Sequence, residues 1–373
     1  MRLTLHNLAH FLADNGFLHP EYLVGGHYKV VQRQSRNSIF QVFLDNNPTG
    51  LFVKQLLSSD QQNAYLMQKD ATVHCLIQQT DILPKMRSFI PNYYGYELGN
   101  HVFVTEFFPG ATSLHEFITQ RKSIDQEELS QMAIILATLH KDLSEEIERN
   151  PGLNFFNRQP PWIMLFGDRD NPQIKNSQQH LGPIDALIRQ QPNIPQLLEE
   201  LRYFWSGNIL IHGDIKLINF IRVDAKSPCT LKLIDWEIAD IGDPMWDVAG
   251  LLQSFLTLWV FSQNPNPMLQ NQPQPGMEFL TWEYTLSACQ FFWLSYCKAR
   301  DTVNPDSALN SPENRRKLIH YTAARMLQTA FESNITKTEL QLPSNRIVQM
   351  VIQMIASPQA WATQILGALT HEL

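Results

Sequence analysis

The chain has 373 residues, room for one large domain or two smaller ones, and 44% hydrophobic against 17% charged residues excludes a disordered chain or a fibre. A net charge of -7 gives no electrostatic basis for binding along nucleic acid, though it is compatible with a cationic small molecule. Cys75, Cys229, Cys289 and Cys297 are scattered with no C-x-x-C pair, which speaks against a zinc site or disulfide framework and for a reducing compartment.

The N-terminus places Leu5, Leu8, Phe11 and Leu12 at helical spacing with polar residues between. It shows no continuous apolar core and no small-residue cleavage site, so it reads as an amphipathic helix. The longest apolar stretch, 248–261, is broken by Gln253, Ser254 and Thr257 and falls short of the ~20 residues a membrane span needs. A cytoplasmic protein without membrane contact is expected. Residues 28–44 read as two strands joined by a polar turn at Ser35, Arg36 and Asn37. After the turn signal Asn46-Asn47-Pro48-Thr49-Gly50 comes a third strand, 51–56, carrying Lys54. A helix over about 61–78 and a hairpin of 93–97 with 101–107 follow. Beyond Gly110 the pattern turns helical: 114–120, 124–143, 184–189, 195–205, 246–261, 279–299, 315–334 and 346–369. Pro- and Asn-rich stretches at 150–193 and 264–276 read as loops or insertions. A mostly antiparallel sheet followed by a helical mass implies an α+β protein of two lobes, 1–108 and 109–373, with a cleft between them.

The densest chemistry lies in 209–250, ILIHGDIKLINFIRVDAKSPCTLKLIDWEIADIGDPMWDVAG. An apolar run leads into His212-Gly213-Asp214, then Lys216, then Asn219; a strand pattern, LKLID, ends in Asp235. Two carboxylates and an amide beside short strands suit a Mg²⁺–nucleotide site, because magnesium takes oxygen ligands, usually one or two carboxylates plus phosphate oxygens. On that reading Asp235 and the amide oxygen of Asn219 hold metal, and Asp214 accepts the proton of an incoming hydroxyl. Lys216 would reach the transferring phosphoryl group and stabilise its transition state. A single aspartate after a strand is usually a cap, and a lone histidine a satisfied loop group. The joint pattern H-G-D-x-K-x-x-N, apolar strand, I-D-W-E is what chance rarely produces.

This segment resembles the aminoglycoside phosphotransferase and choline kinase group of protein-kinase-like enzymes, in which an H-G-D-x-x-x-x-N loop supplies the base and one metal ligand and an I-D-W/F-E strand end supplies the other. The resemblance implies a two-lobed protein-kinase-like fold: a small antiparallel sheet with one main helix, then a large, mostly helical lobe. It implies ATP and Mg²⁺ as cofactors and transfer of the γ-phosphoryl group to a small-molecule hydroxyl of the aminoglycoside, choline, amino alcohol or sugar class. The element I-G-D-P-x-W-D-V-A, ending at Ala249, also matches; there Asp247 is expected to brace the catalytic loop through backbone hydrogen bonds, with His212 as structural support. Lys54 matches the lysine that holds the α- and β-phosphates. Its family partner is a glutamate on the next helix, but no Glu occurs between Lys54 and Glu97, so Asp70 is the best match. Residues 102–110, VFVTEFFPG, resemble the hinge whose backbone, at Glu106 and Phe108, pairs with the adenine edge. The phosphate-covering hairpin falls on the glycine-free turn, with Ser35 and Asn37 in place of glycines. Leu139-His140 matches a structural helix end.

A P-loop is excluded, since no G-x-x-x-x-G-K-[ST] occurs. Only eleven residues separate Asp235 from Asp247 and no A-P-E follows, which argues against a general protein kinase. A specialised Ser/Thr peptide acceptor and an inactive ATP-binding regulator stand as alternatives. Asp70 in place of Glu favours the regulator a little; intact Asp214, Asn219 and Asp235 weigh against it more. Acceptor identity, ATP against GTP, oligomeric state and the role of the helices from about 315 onward are left open. Trp162, Phe166, Trp259, Trp282, Phe291, Phe292 and Trp293, with Asp168, Asp170 and Glu237, are the residues available to an acceptor, although helix-spaced aromatics are more often core.

Overall fold

A computed structural model describes residues 1–34, 37–57, 60–167, 182–223, 230–263, 280–303, 309–334, 337 and 339–368. Two units divide the chain, Met1–Leu114 with Ile218–Ala239, and His115–Leu217 with Asp240–Leu373.

The first unit is built on strands β1 (Tyr28–Gln34), β2 (Asn37–Leu44), β3 (Gly50–Leu56), β4 (Tyr93–Glu97) and β5 (Val102–Phe107), ordered β1-β2-β3-β5-β4 and antiparallel throughout. Strand alternation decides what each face buries. Phe40, Val42, Val53, Val102 and Val104 meet Leu8, Phe11 and Leu12 of the N-terminal helix Leu8–Asp14 in one core. Phe103 turns the other way and meets Met67 and Ala71 of the helix Gln61–Gln79. Lys54 pairs with Phe103 across the β3–β5 ladder, one residue from the core-facing Val53, so it shares the face of Phe103. That register aims the lysine at the Gln61–Gln79 helix. Asp60 starts this helix by accepting the Gln62 N–H at 3.0 Å.

Five further short strands follow: β6 (Thr112–Ser113), β7 (Ile209–Ile211), β8 (Phe220–Arg222), β9 (Leu231–Leu233) and β10 (Asp240–Gly242). In the first unit β6, β8 and β9 form an antiparallel sheet. In the second, β7 pairs with β10.

The second unit is helical. Met245–Ser262, with nearly all its residues buried, packs against Pro312–Glu332, and Gln126–Leu139 packs against Trp282–Val303. Pro312–Glu332 starts earlier than its apolar pattern suggests: the Ser311 hydroxyl accepts the Asn314 N–H at 3.2 Å and Pro312 takes the first turn. The single helix expected over 346–369 is two, Leu342–Ala356 and Pro358–Leu366. Pro358 has no N–H to continue the ladder, and Ser357 leaves helical geometry at φ −143, ψ 59. The other expected helices lie within a few residues of where periodicity puts them, and two short ones, Pro20–Val24 and Ser144–Arg149, were not expected. Among the described residues no helix is long and apolar enough to cross a membrane. The architecture is the expected two-lobed α+β one, a small antiparallel N-terminal sheet and a large helical C-terminal lobe, as in protein-kinase-like folds.

Candidate active site

In the first unit, Lys54 Nζ lies 3.5 Å from Asp70 Oδ2, 3.6 Å from Asp235 Oδ1 and 3.5 Å from Glu237 Oε2. The three carboxylates differ in access: the Asp70 side chain is 4% exposed, Glu237 12% and Asp235 41%. Asp70 is therefore a buried anchor, and it also accepts the backbone N–H of Trp236 at 3.3 Å. Burial raises the Asp70 carboxyl above its ordinary value, with Lys54 opposing. Beside it the buried His74 imidazole is pushed down to about 3, so at neutral pH their 3.8 Å approach joins a neutral ring to the acid. Asp235, open to ligand, sits just past β9 with φ at +68, the left-handed region that is uncommon for a non-glycine residue. Phe220 pairs with Leu233, and the Ile234 N–H donates to the Asn219 carbonyl at 3.0 Å, so the β8–β9 ladder brings Asn219 and Asp235 to the same end. Among the described residues no three His, Cys, Asp or Glu side chains form a metal cluster. A magnesium held by one carboxylate, one amide and phosphate oxygens requires none.

Asn37 opens β2 and is buried, while Ser35 and Arg36 lie outside the described residues. At the end of β5 the Glu106 N–H donates to Asn92 O at 2.8 Å, and its carboxylate takes the Asn92 N–H at 3.2 Å. Phe108 follows the strand; its carbonyl accepts the Ala111 N–H at 3.1 Å, and among the described residues its own N–H meets no acceptor. A free donor at a strand end suits a heterocycle edge.

In the second unit Asp247 is fully buried at the start of Met245–Ser262. Its carboxylate accepts the backbone N–H groups of His212 at 2.7 Å and Gly213 at 2.9 Å. His140 Nε2 lies 3.2 Å from the same carboxylate and its Nδ1 lies 2.8 Å from the Tyr296 hydroxyl. Burial outweighs Asp247 and lowers the His140 imidazole below its ordinary value. Gly213, at φ +79, makes the reversal that leads into Asp214, and its carbonyl accepts Trp246 Nε1–H at 3.0 Å. His212 Nδ1 accepts the Asp214 N–H at 3.3 Å. Asp214 Oδ1 is 3.0 Å from Lys216 Nζ and 3.3 Å from Arg325 Nη2, and Lys216 also meets Glu332 at 3.2 Å. This loop holds one carboxylate between two cations.

The sequence profile described as the phosphotransferase enzyme family matches residues 76–281, more than half of the chain. The chain belongs to that family. No curated protein matches its sequence. In fold it is similar to an ethanolamine kinase of Plasmodium vivax, with TM-score 0.58 and 10% identity over 95% of this chain and 90% of that one. A choline/ethanolamine kinase family protein of Mesorhizobium loti gives TM-score 0.53 at 11% identity over 96% of this chain and 99% of that one. The choline kinase LicA of Streptococcus pneumoniae gives 0.50 at 15% identity over 92% and 99%. At such identities the likeness establishes the fold, and the family match establishes phosphotransferase ancestry.

Two residues of this phosphotransferase have partners that the sequence did not foretell. Glu237 counted there as an acid for an amine-bearing acceptor; it lies instead against Lys54, beside the shortened Asp70. Arg325 is missed altogether. The available signal was an arginine set on the buried stripe of a helix, between Tyr321 and Gln328. Asp168 and Asp170 lie outside the described residues. Of the aromatics, Phe166, Phe292 and Trp293 are core, and Trp282 packs with Trp259 at 4.8 Å and Trp361 at 6.0 Å. Trp162 stays 39% exposed.

Proposed function

We propose that this phosphotransferase moves the γ-phosphoryl group of ATP, bound with Mg²⁺, to the hydroxyl of a small alcohol bearing an amine. The observation that carries the reading is Lys54 among Asp70, Asp235 and Glu237. Three carboxylates around one ammonium offer the oxygen donors that a divalent cation takes, and a buried lysine beside them suits a phosphate chain. The donor set is oxygen-only, as magnesium requires. When bound, magnesium supplies charge neutralisation on the phosphate oxygens. Asp235 and Asn219 would hold it, Lys54 would pair with the α- and β-phosphates, and the backbone of Glu106 and Phe108 would read the adenine edge. The acceptor oxygen bonds to the γ-phosphorus, the bond to the ADP oxygen breaks, and the hydroxyl proton passes to Asp214. Lys216 offsets the charge of the moving group.

Two features of the second unit favour an amine-bearing acceptor. Trp162 stands edge-on to Phe331 at 5.9 Å with its ring partly open, and Glu332, next in the chain, pairs with Lys216. Aromatic faces and a carboxylate near the base are what a cationic head group is held by. The fold neighbours named as choline and ethanolamine kinases agree in chemistry. The test is a labelled-ATP screen of choline, ethanolamine, other amino alcohols, aminoglycosides, neutral sugars and Ser/Thr peptides, with calorimetry of Mg²⁺-ATP binding alongside. Asp214→Ala should keep nucleotide affinity and lose transfer by roughly 100-fold or more. Absence of Mg²⁺-dependent ATP binding in the wild type would sink the reading; preference for a peptide would correct its acceptor.

A further inference from the structure

The helix Pro312–Glu332 presents Lys317, Tyr321, Arg325, Gln328 and Glu332 at spacings of four and three, one face of an α-helix. Each of these side chains is committed. Lys317 Nζ and the Tyr321 hydroxyl bind Asp243 Oδ2 at 2.7 and 3.1 Å. Arg325 donates from Nη2 to Ile215 O at 2.9 Å and Asp214 Oδ1 at 3.3 Å, and from Nη1 to Gly213 O and Gln328 Oε1, both at 3.3 Å. Its guanidinium carbon lies 5.2 Å from the centroid of the Trp246 ring. Gln328 donates to Glu332 at 2.8 Å, and Glu332 takes Lys216. The arginine is 1% exposed. A guanidinium so deeply placed is costly unless its donors are answered; both Nη groups are answered, mainly by three consecutive residues of the catalytic loop, while Nε meets no partner among the described residues. The neighbouring helix makes room for it. A Cβ at Gly250 would stand 2.6 Å from Ile215 O and 3.3 Å from Arg325 Nη2, so only glycine lets loop and arginine approach together.

We propose that Arg325 is a positioning residue for phosphoryl transfer: from the C-terminal helix it fixes the Asp214 carboxylate and the carbonyls on either side, holding the base in one orientation with its charge offset. The proposal rests on Asp214 being the base. It also gives the helices beyond about 315 a task, one that a lysine, with a point charge and no planar fork, performs incompletely. The electrostatics agree. Burial by itself would raise the Asp214 carboxyl; Arg325 first, then Lys216 and His212, outweigh it and hold the carboxyl below its ordinary value. Among the described residues, the titratable and charged groups facing Asp214 include Arg325 from the helix and Lys216 and His212 from its own loop, with Glu332 behind Lys216.

The experiment uses the full chain with Arg325→Met and Arg325→Lys. The first readout needs no acceptor and no catalysis: titration of the Asp214 carboxyl by carbon NMR, assigned against Asp214→Asn. Arg325→Met should move that titration to higher pH, and Arg325→Lys should return it most of the way. The second readout is slow Mg²⁺-ATP hydrolysis, with water standing in for the acceptor. Arg325→Met should lower turnover by roughly 100-fold, leave KM for ATP within about twofold, and shift the acid limb of the pH profile upward. Arg325→Lys should restore the limb but not the full turnover. If Arg325→Met fails to fold, Arg325→Lys decides: full wild-type turnover and titration overturn the proposal. An unmoved Asp214 titration in a folded Arg325→Met protein also overturns it. A shifted titration in a protein that hydrolyses no ATP upholds the coupling and breaks instead the kinase reading.

Discussion

The two charged clusters are near mirror images. Around Lys54 one cation meets three carboxylates; around Asp214 one carboxylate meets two cations. The first is rich in carboxylate and has an exposed member, Asp235, turned to a left-handed conformation. The second is nearly balanced once Glu332 is counted, and its backbone is tied down by Asp247 and Arg325. A carboxylate-rich cluster with an exposed member can offer oxygen donors to a cation, and a buried, tightly bonded one holds a single group in place. Binding and chemistry should accordingly be separable by mutation.

The sharpest break is Asp235→Ala against Asp214→Ala. Asp235→Ala should abolish magnesium-dependent nucleotide affinity as well as transfer, by roughly 100- to 1,000-fold or more. Asp214→Ala should cost transfer alone, and calorimetry tells the two apart. If both variants lose nucleotide binding equally, the contrast between the clusters is wrong. Glu237→Gln comes next. It removes one of the charges on Lys54 and should weaken Mg²⁺-ATP binding by about tenfold with a smaller effect on maximal rate, as loss of an orienting partner does; an unchanged KM for ATP would return Glu237 to a surface role. Asp70→Asn tests the buried anchor through pH. Because burial holds the Asp70 carboxyl above its ordinary value, its native form is favoured while protonated, and that stability is lost as pH rises through the shifted pKa. The asparagine keeps an acceptor for the Trp236 N–H, so the Tm of the variant should fall less with rising pH than that of the wild type. A parallel decline in both would refute the assignment. Trp246→Phe comes last: it loses the hydrogen bond to the Gly213 carbonyl, part of the ring beside Arg325 and some buried volume, roughly 2 kcal/mol of stability, visible as a drop in Tm.

Much of this was legible because it is local. Strand and turn signals put Lys54 on the third strand, and the run LKLID placed Asp235 at a strand end, from residue order alone. Asp247 was expected to accept backbone hydrogen bonds from the catalytic loop, and its carboxylate lies on the N–H groups of His212 and Gly213. The helix over 346–369 was misread because apolar periodicity runs straight through Ser357-Pro358, where the missing N–H, invisible to periodicity, ends it. The contact of Glu237 with Lys54 went unforeseen for another reason. An acid two residues beyond a strand has no address until the chain turns, and the turn at Asp235 carries it to Lys54.

By itself the sequence determined the α+β order of elements, the strand that carries Lys54, and the stretch of chain that carries the chemistry. These follow from periodicity and short-range spacing, which neighbouring residues suffice to encode. Tertiary structure alone decided that Glu237 supplements the shortened Asp70, and that Arg325, more than a hundred positions along the chain from Asp214, grips the loop around it. Contacts of that kind depend on which buried faces meet, and a charged side chain becomes a partner only once packing has removed the water that would otherwise satisfy it.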